Sequence, residues 1–162
     1  MSAAIDISVE SPRWERLAGA EATVRAAIEA ALADAGAADA EIGVVLADDA
    51  RVRELNRTWR GKDAPTNVLS FPAPGERRGA SRFLGDIVFA LETIEREATE
   101  ENKPTKQHLA HLAVHGTLHL LGFDHERDED AEVMERRERE ILARLGVPDP
   151  YATAGERSTE PA

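Results

Sequence analysis

The sequence predicts an α+β domain, α/β-like in its opening half, with a small mixed four-stranded sheet containing one antiparallel strand and packed with about five helices. Three observations lead there. Four short apolar runs begin at Ile5, Glu41, Asn67 and Leu84, and the first alternates apolar with polar residues as a half-buried strand does. The stretches between and after them carry apolar residues at helical spacing. The third and fourth runs are joined by a loop long enough for a hairpin and too short for a helical crossover, so that pair is antiparallel.

Taken in order, Ile5, Ile7 and Val9 form the opening strand, and Ser11 followed by Pro12 starts a helix. Trp14, Leu17, Val24, Ala27, Ile28 and Leu32 keep the helical period until Gly36, which predicts one long first helix. Glu41 to Asp48, rich in Val and Ile, is a strand buried on both faces. Asp48 or Asp49 caps a helix that carries Val52, Leu55 and Trp59 on one side and ends at Gly61. Asn67 to Phe71 is the third strand, left through the Pro and Gly residues of PAPGERRG, and Leu84 to Leu91 is the fourth. A helix runs from Glu92 to about Asn102, and Pro104 opens the next in its first turn. That helix bears Leu109, Leu112, Ala113, Leu118, Leu120 and Leu121, so it must lie against the sheet. The last helix, Asp128 to Leu145, has a thin apolar stripe of Val133, Ile141, Leu142 and Leu145. Its acids, Asp128, Glu129, Asp130, Glu132, Glu135, Glu138 and Glu140, read as a solvent-facing surface. Residues 1–147 make one domain, and 148–162 have the composition of a flexible tail.

Composition excludes several chemistries. Without cysteine there is no disulfide scaffold and no thiolate metal site, so any metal must sit on His, Asp or Glu. The start, MSAAIDISVESPRW, lacks the basic and apolar pattern of a secretory leader, and no window has the ~20 apolar residues of a membrane span, which predicts a cytoplasmic protein with no membrane partner. The net charge of −11 argues against nucleic acid, yet between Arg51 and Arg82 eight bases stand against three acids. Screening confines such fields to about 10 Å, so an acidic protein can present one basic surface to an anion.

The stretch HGTLHLLGFDH, His115 to His125, carries the chemistry. His115 and His119 are four apart, so on a helix both rings leave one face and can grip one ion. Gly122 can take the left-handed conformation that ends the helix and reverses the chain, which brings His125 toward the same ion. Three imidazoles suit one zinc ion per chain and leave the fourth tetrahedral position open, as in catalytic sites. The spacing equals that of the zinc-protease motif HExxHxxGxxH, but Gly116 stands where the protease carries its general base, and glycine can move no proton. Gly116 therefore argues against peptide hydrolysis by that route.

The neighbours are less determined. His111 reads as a residue packing behind the ligands or bonding to them, and His108 as solvent-facing. Asp124 either holds a ligand imidazole, or accepts a proton near the site, or is a plain turn residue. Arg60 is a candidate phosphate ligand through its bidentate guanidinium, and equally a solvated arginine at a helix C-terminus. Arg57, Lys62, Arg77, Arg78 and Arg82 either line a groove for single-stranded RNA or form a solvated basic surface. Phe71 and Phe83 are the aromatics within reach for base stacking, with core packing the better reading of Phe71.

HGTLHLLGFDH, together with LNRTWRGKDAPTNVLSFP (Leu55 to Pro72) and LGDIVFA (Leu84 to Ala90), closely resembles the YbeY family of rRNA maturation endoribonucleases. The resemblance runs from about Ile5 to Leu145. It implies a zinc-dependent, single-strand-specific endoribonuclease that matures the 3′ end of small-subunit rRNA, serves ribosome quality control, and meets the ribosome or its proteins. By position it implies His115, His119 and His125 as metal ligands and Arg60, with His115, as catalytic. Many members have aspartate where this chain has Asn67, so Asn67 is assigned no catalytic role. Two rival readings stand beside it. One is a non-catalytic, metal-stabilised ribosome assembly factor, and the other is a metal hydrolase of another substrate class.

Overall fold

The computed structural model describes residues 4–73, 82–124 and 126–152. Its strands are β1 (Ala4–Val9), β2 (Glu41–Ala47), β3 (Val68–Pro72) and β4 (Phe83–Ala90). Its helices are α1 (Ala20–Asp34), α2 (Asp49–Arg60), α3 (Leu91–Glu100), α4 (Thr105–Leu120) and α5 (Asp128–Arg144). The sheet order is β1-β2-β4-β3. β1, β2 and β4 run parallel, and β3 lies antiparallel on β4 with Ser70 opposite Ile87. The expected mixed α+β architecture is the one observed.

The alternation of side chains along β2 and β4 sorts them into two cores. Ile42, Val44, Leu46, Ile87 and Phe89 face a layer made by α1, α4 and α5. Ala47, Val88 and Ala90 face the other way, where they meet Leu69 and Val52 under α2. Trp59, grouped with the apolar side of α2 from its spacing, is instead exposed and walls a groove with Leu55, Phe71 and Pro72.

The single long first helix is not observed. Pro12–Arg16 form a short 3-10 turn capped by Ser11, and α1 starts only after Gly19, which adopts a left-handed φ of 80°. Trp14 is the cause on the turn side: it is buried and its indole Nε1 donates to the Ala47 carbonyl at 2.8 Å, which ties the turn to the end of β2. Glycine then supplies the change of direction that an L side chain resists.

α4 lies against the sheet as its apolar content requires, with Leu109, Leu112, Ala113, Leu118 and Leu120 buried. Two glycines set how closely it lies. At Gly116 an added Cβ would stand 3.1 Å from Ile87 Cγ2 and 3.2 Å from Ser70 Oγ. At Gly85, with φ of 141°, a Cβ would collide with the Phe71 carbonyl oxygen and come within 2.9 Å of Leu120 Cδ2. Ser70 Oγ closes the contact by donating to the Gly116 carbonyl at 3.2 Å. Replacing Gly85 with Ala should cost about 2–4 kcal/mol, because backbone strain and overpacking fall on one residue. Urea unfolding of the variant reads this directly, and an unchanged midpoint refutes it.

Candidate metal centre

Steps of three, four and four place His108, His111, His115 and His119 along one face of α4. Each ring has a hydrogen-bond partner, and His111 and His115 share theirs. His119 Nδ1 stands 3.1 Å from the Phe123 carbonyl, and since a carbonyl only accepts, Nδ1 carries the proton. His115 Nδ1 lies 2.6 Å from Glu138 Oε2. The Nε2 atoms of His115 and His119 then face each other at 3.1 Å. Tetrahedral zinc, with Zn–N near 2.0–2.1 Å, holds two ligand nitrogens about 3.3 Å apart. The spacing and the donor chemistry therefore fit a shared metal ion. His125, the third expected ligand, lies outside the described residues.

Glu138 is fully buried, although its helix reads as a solvated acidic surface. It accepts from His115 through Oε2, from His111 Nε2 at 2.9 Å through Oε1, and from the Tyr151 hydroxyl, also through Oε1. Burial alone raises the carboxyl, but the hydrogen bonds and charges of His111 and His115 outweigh it and hold the group down at about 2. His111, His115 and Glu138 also bring ligand atoms within 4.8 Å of one another and so offer a metal a second grouping, which shares His115 with the first.

The signal for Glu138 was phase rather than composition. The buried stripe of α5 is Met134, Ile141 and Leu142, while Val133 is 40% exposed. Glu138 sits on that stripe, four residues after Met134 and three before Ile141. A carboxylate in such a position demands buried donors.

His108 is not solvent-facing. Only 4% exposed, it meets Glu97 Oε1 of α3 through Nε2 at 2.8 Å, and the Asn67 amide donates to the same oxygen at 2.9 Å. Its imidazole is held below the ordinary range by burial, against the pull of Glu97. The helical period that exposes one face of a lone helix does not count the α3 turn packed across it. Asn67 accordingly has a structural partner.

His115 and His119 open into a cleft of about 480 Å³ shared with Arg60, Thr66, Asn67, Ser70 and Asp124. Arg60 reaches it because α2 ends there, its chain turned away by Gly61 at a left-handed φ of 70°. Asp124 lines the cleft and also accepts from the Glu126 amide at 3.4 Å, as a turn residue does. Arg57 and Lys62 are exposed and do not line it. Arg82 pairs with Asp39 at 2.7 Å, away from the cleft, and Arg77 and Arg78 lie outside the described residues. Phe71 is half-buried, packed against the small core under α2 and lining the neighbouring groove.

The family model described as endoribonuclease YbeY matches residues 8–146. The chain belongs to this family. Among its relatives, an endoribonuclease YbeY of Rhodopseudomonas palustris (strain BisB18) is 57% identical over 92% of this chain and 92% of its own length. One from Nitrobacter hamburgensis is 52% identical over 92% of this chain and 82% of its own. The solution structure of TM1509 from Thermotoga maritima is similar in fold, with a TM-score of 0.54 at 26% identity over 94% of this chain and 99% of that one.

The buried carboxylate makes acid stability predictable. A group held down from 4.5 to about 2 stabilises the fold above pH 4.5, and the contribution is lost as pH falls from 4.5 toward 2. It amounts to roughly 3 kcal/mol in the metal-free protein. Glu138→Gln lacks this contribution throughout, so denaturation midpoints of the two proteins should differ at pH 7 and converge toward pH 2. Parallel curves would contradict it.

Proposed function

We propose that the chain cleaves single-stranded RNA with one zinc ion held by His115, His119 and His125, in maturation of the small-subunit rRNA 3′ end and in ribosome quality control. The activity class follows from the family: the chain is a metal-dependent endoribonuclease that cuts RNA phosphodiester bonds. What supports the rest most is one arrangement, the facing Nε2 atoms of His115 and His119 in a cleft that also holds Arg60. Ribosome-bound partners and a cytoplasmic setting belong to the same proposal, with residues 1–147 acting as one catalytic domain. Among the described residues no helix is long and apolar enough to cross a membrane.

A zinc ion bound there supplies a Lewis acid that polarises a phosphoryl oxygen and acidifies water. The protein's own groups do the remainder. The Phe123 carbonyl and Glu138 hold protons on the outer nitrogens of His119 and His115, which leaves Nε2 as donor to a metal on each. Arg60 presents a permanently charged fork to the non-bridging phosphate oxygens, where charge grows during cleavage. Gly116 contributes no base and leaves no room for one, since its Cβ position is already bounded by Ile87 and Ser70.

The test compares wild-type protein, metal-stripped protein, His119→Ala and Arg60→Ala on a single-stranded RNA. Stripping and His119→Ala should abolish cleavage and bound zinc together. Arg60→Ala should retain zinc and fold, since the side chain is exposed, and lose about 10²–10³ in kcat. Equal cleavage by all four marks a contaminant and leaves the assembly-factor reading, which the exposed acidic side of α5 favours.

A further inference from the structure

We propose that Glu138 is a positioning residue of the metal site, whose carboxylate fixes the proton of His115 on Nδ1 and aims Nε2 at the metal, with His111 and Tyr151 holding that carboxylate in place. This rests on the functional reading above.

The geometry is specific. An ionised carboxylate has only acceptors, so every close donor to it must bring its own proton. His115 therefore carries hydrogen on Nδ1, and in a neutral ring the lone pair is then confined to Nε2, the atom facing His119. Oε2 serves His115, while Oε1 receives His111 and the Tyr151 hydroxyl, so the carboxylate cannot rotate without breaking bonds on its other oxygen. His111 in turn meets the Tyr151 ring edge-on at 5.3 Å between centroids. Tyr151 comes from the segment beyond α5, so the chain after the last helix returns to brace a group one step removed from the metal.

Such a brace matters because an imidazole that must choose its tautomer, or swing about its Cβ, binds metal more weakly. Removing a carboxylate of this kind costs typically 10–100-fold in affinity. The same three groups could instead ligate a metal directly, and that arrangement would place it on His115 Nδ1 and on Glu138. It would have to displace the 2.6 Å and 2.9 Å hydrogen bonds and expel the tyrosine hydroxyl.

The experiment titrates zinc against a chromophoric chelator for wild-type, Glu138→Gln and Tyr151→Phe, and reads the histidine tautomers by ¹H–¹⁵N NMR. Zinc affinity should fall about 10–100-fold for Glu138→Gln. A fall of about 2–10-fold is expected for Tyr151→Phe, which loses one hydrogen bond. His115 in metal-free wild-type protein should be the Nδ1–H tautomer, and zinc should shift its Nε2. A merely structural Glu138 would lower the unfolding temperature but leave folded-state zinc affinity and tautomer unchanged, which overturns the proposal. So does zinc on His115 Nδ1. If Glu138→Gln does not fold, the wild-type tautomer and Tyr151→Phe still decide. Wild-type protein that takes up no zinc would sink the functional reading itself, whereas normal wild-type binding with an unaffected Glu138→Gln overturns this inference alone.

Discussion

The close approach of α4 to the β3–β4 pair is the constraint on which the site depends. Gly116 on the helix and Gly85 on the strand remove the two Cβ atoms that would keep these elements apart. Ser70 then reaches the helix backbone, and β3 becomes the wall of a cleft whose floor is the histidine face. The same contact accounts for the missing general base. In the zinc-protease arrangement the position after the first histidine carries glutamate, whereas here that position points into packed sheet. The chain has exchanged a catalytic side chain for a helix lying nearer its strands, and the chemistry must then draw on groups from elsewhere in the fold.

Those groups are few because, of the six described bases between Arg51 and Arg82, three are already paired with acids. Arg51 is bonded to Glu54, Arg53 to Asp63 and Arg82 to Asp39. Such exposed pairs add little to stability, but they lower the charge offered to a phosphate. Among the described residues Arg60 is the arginine that lines the cleft. A chain of net charge −11 can thus bind a polyanion at one point without a broad basic surface, and its affinity for RNA should lean on the metal centre and Arg60 more than on counterion release.

The sheet was legible in the sequence because its strands declare themselves locally: Val- and Ile-rich runs, a hairpin-length loop between β3 and β4, and glycine or proline at the boundaries. The histidine helix was legible for the same reason, since four-residue spacing is a property of one helix. What escaped was relational. The break at Gly19 follows from Trp14 reaching across to Ala47, a contact 33 residues away. His108 is buried by α3, and Glu138 by a phase error of one residue on α5, where Val133 was counted inward and Met134 was not. An acidic helix hides one buried acid well, because composition averages over faces while burial depends on a single stripe.

The buried network behind the histidines also explains how the site can exist before any ion arrives. Two Nε2 lone pairs at 3.1 Å repel, and a pair of free imidazoles would turn away from each other. Here the Phe123 carbonyl and Glu138 hold them, and both anchors are themselves fixed: Phe123 by its amide bond to the Leu118 carbonyl at the end of α4, Glu138 by packing among Met134, Ile141 and Leu142. The cost of bringing the donors together therefore falls on folding, where the core of α1, α4 and α5 can bear it, rather than on metal binding. It follows that stability and metal affinity are coupled through α5. On the proposed role of Glu138, a substitution that loosens α5 on α4 should weaken the grip on the ion even when His115 and His119 are intact, because the carboxylate bonded to His115 travels with that helix.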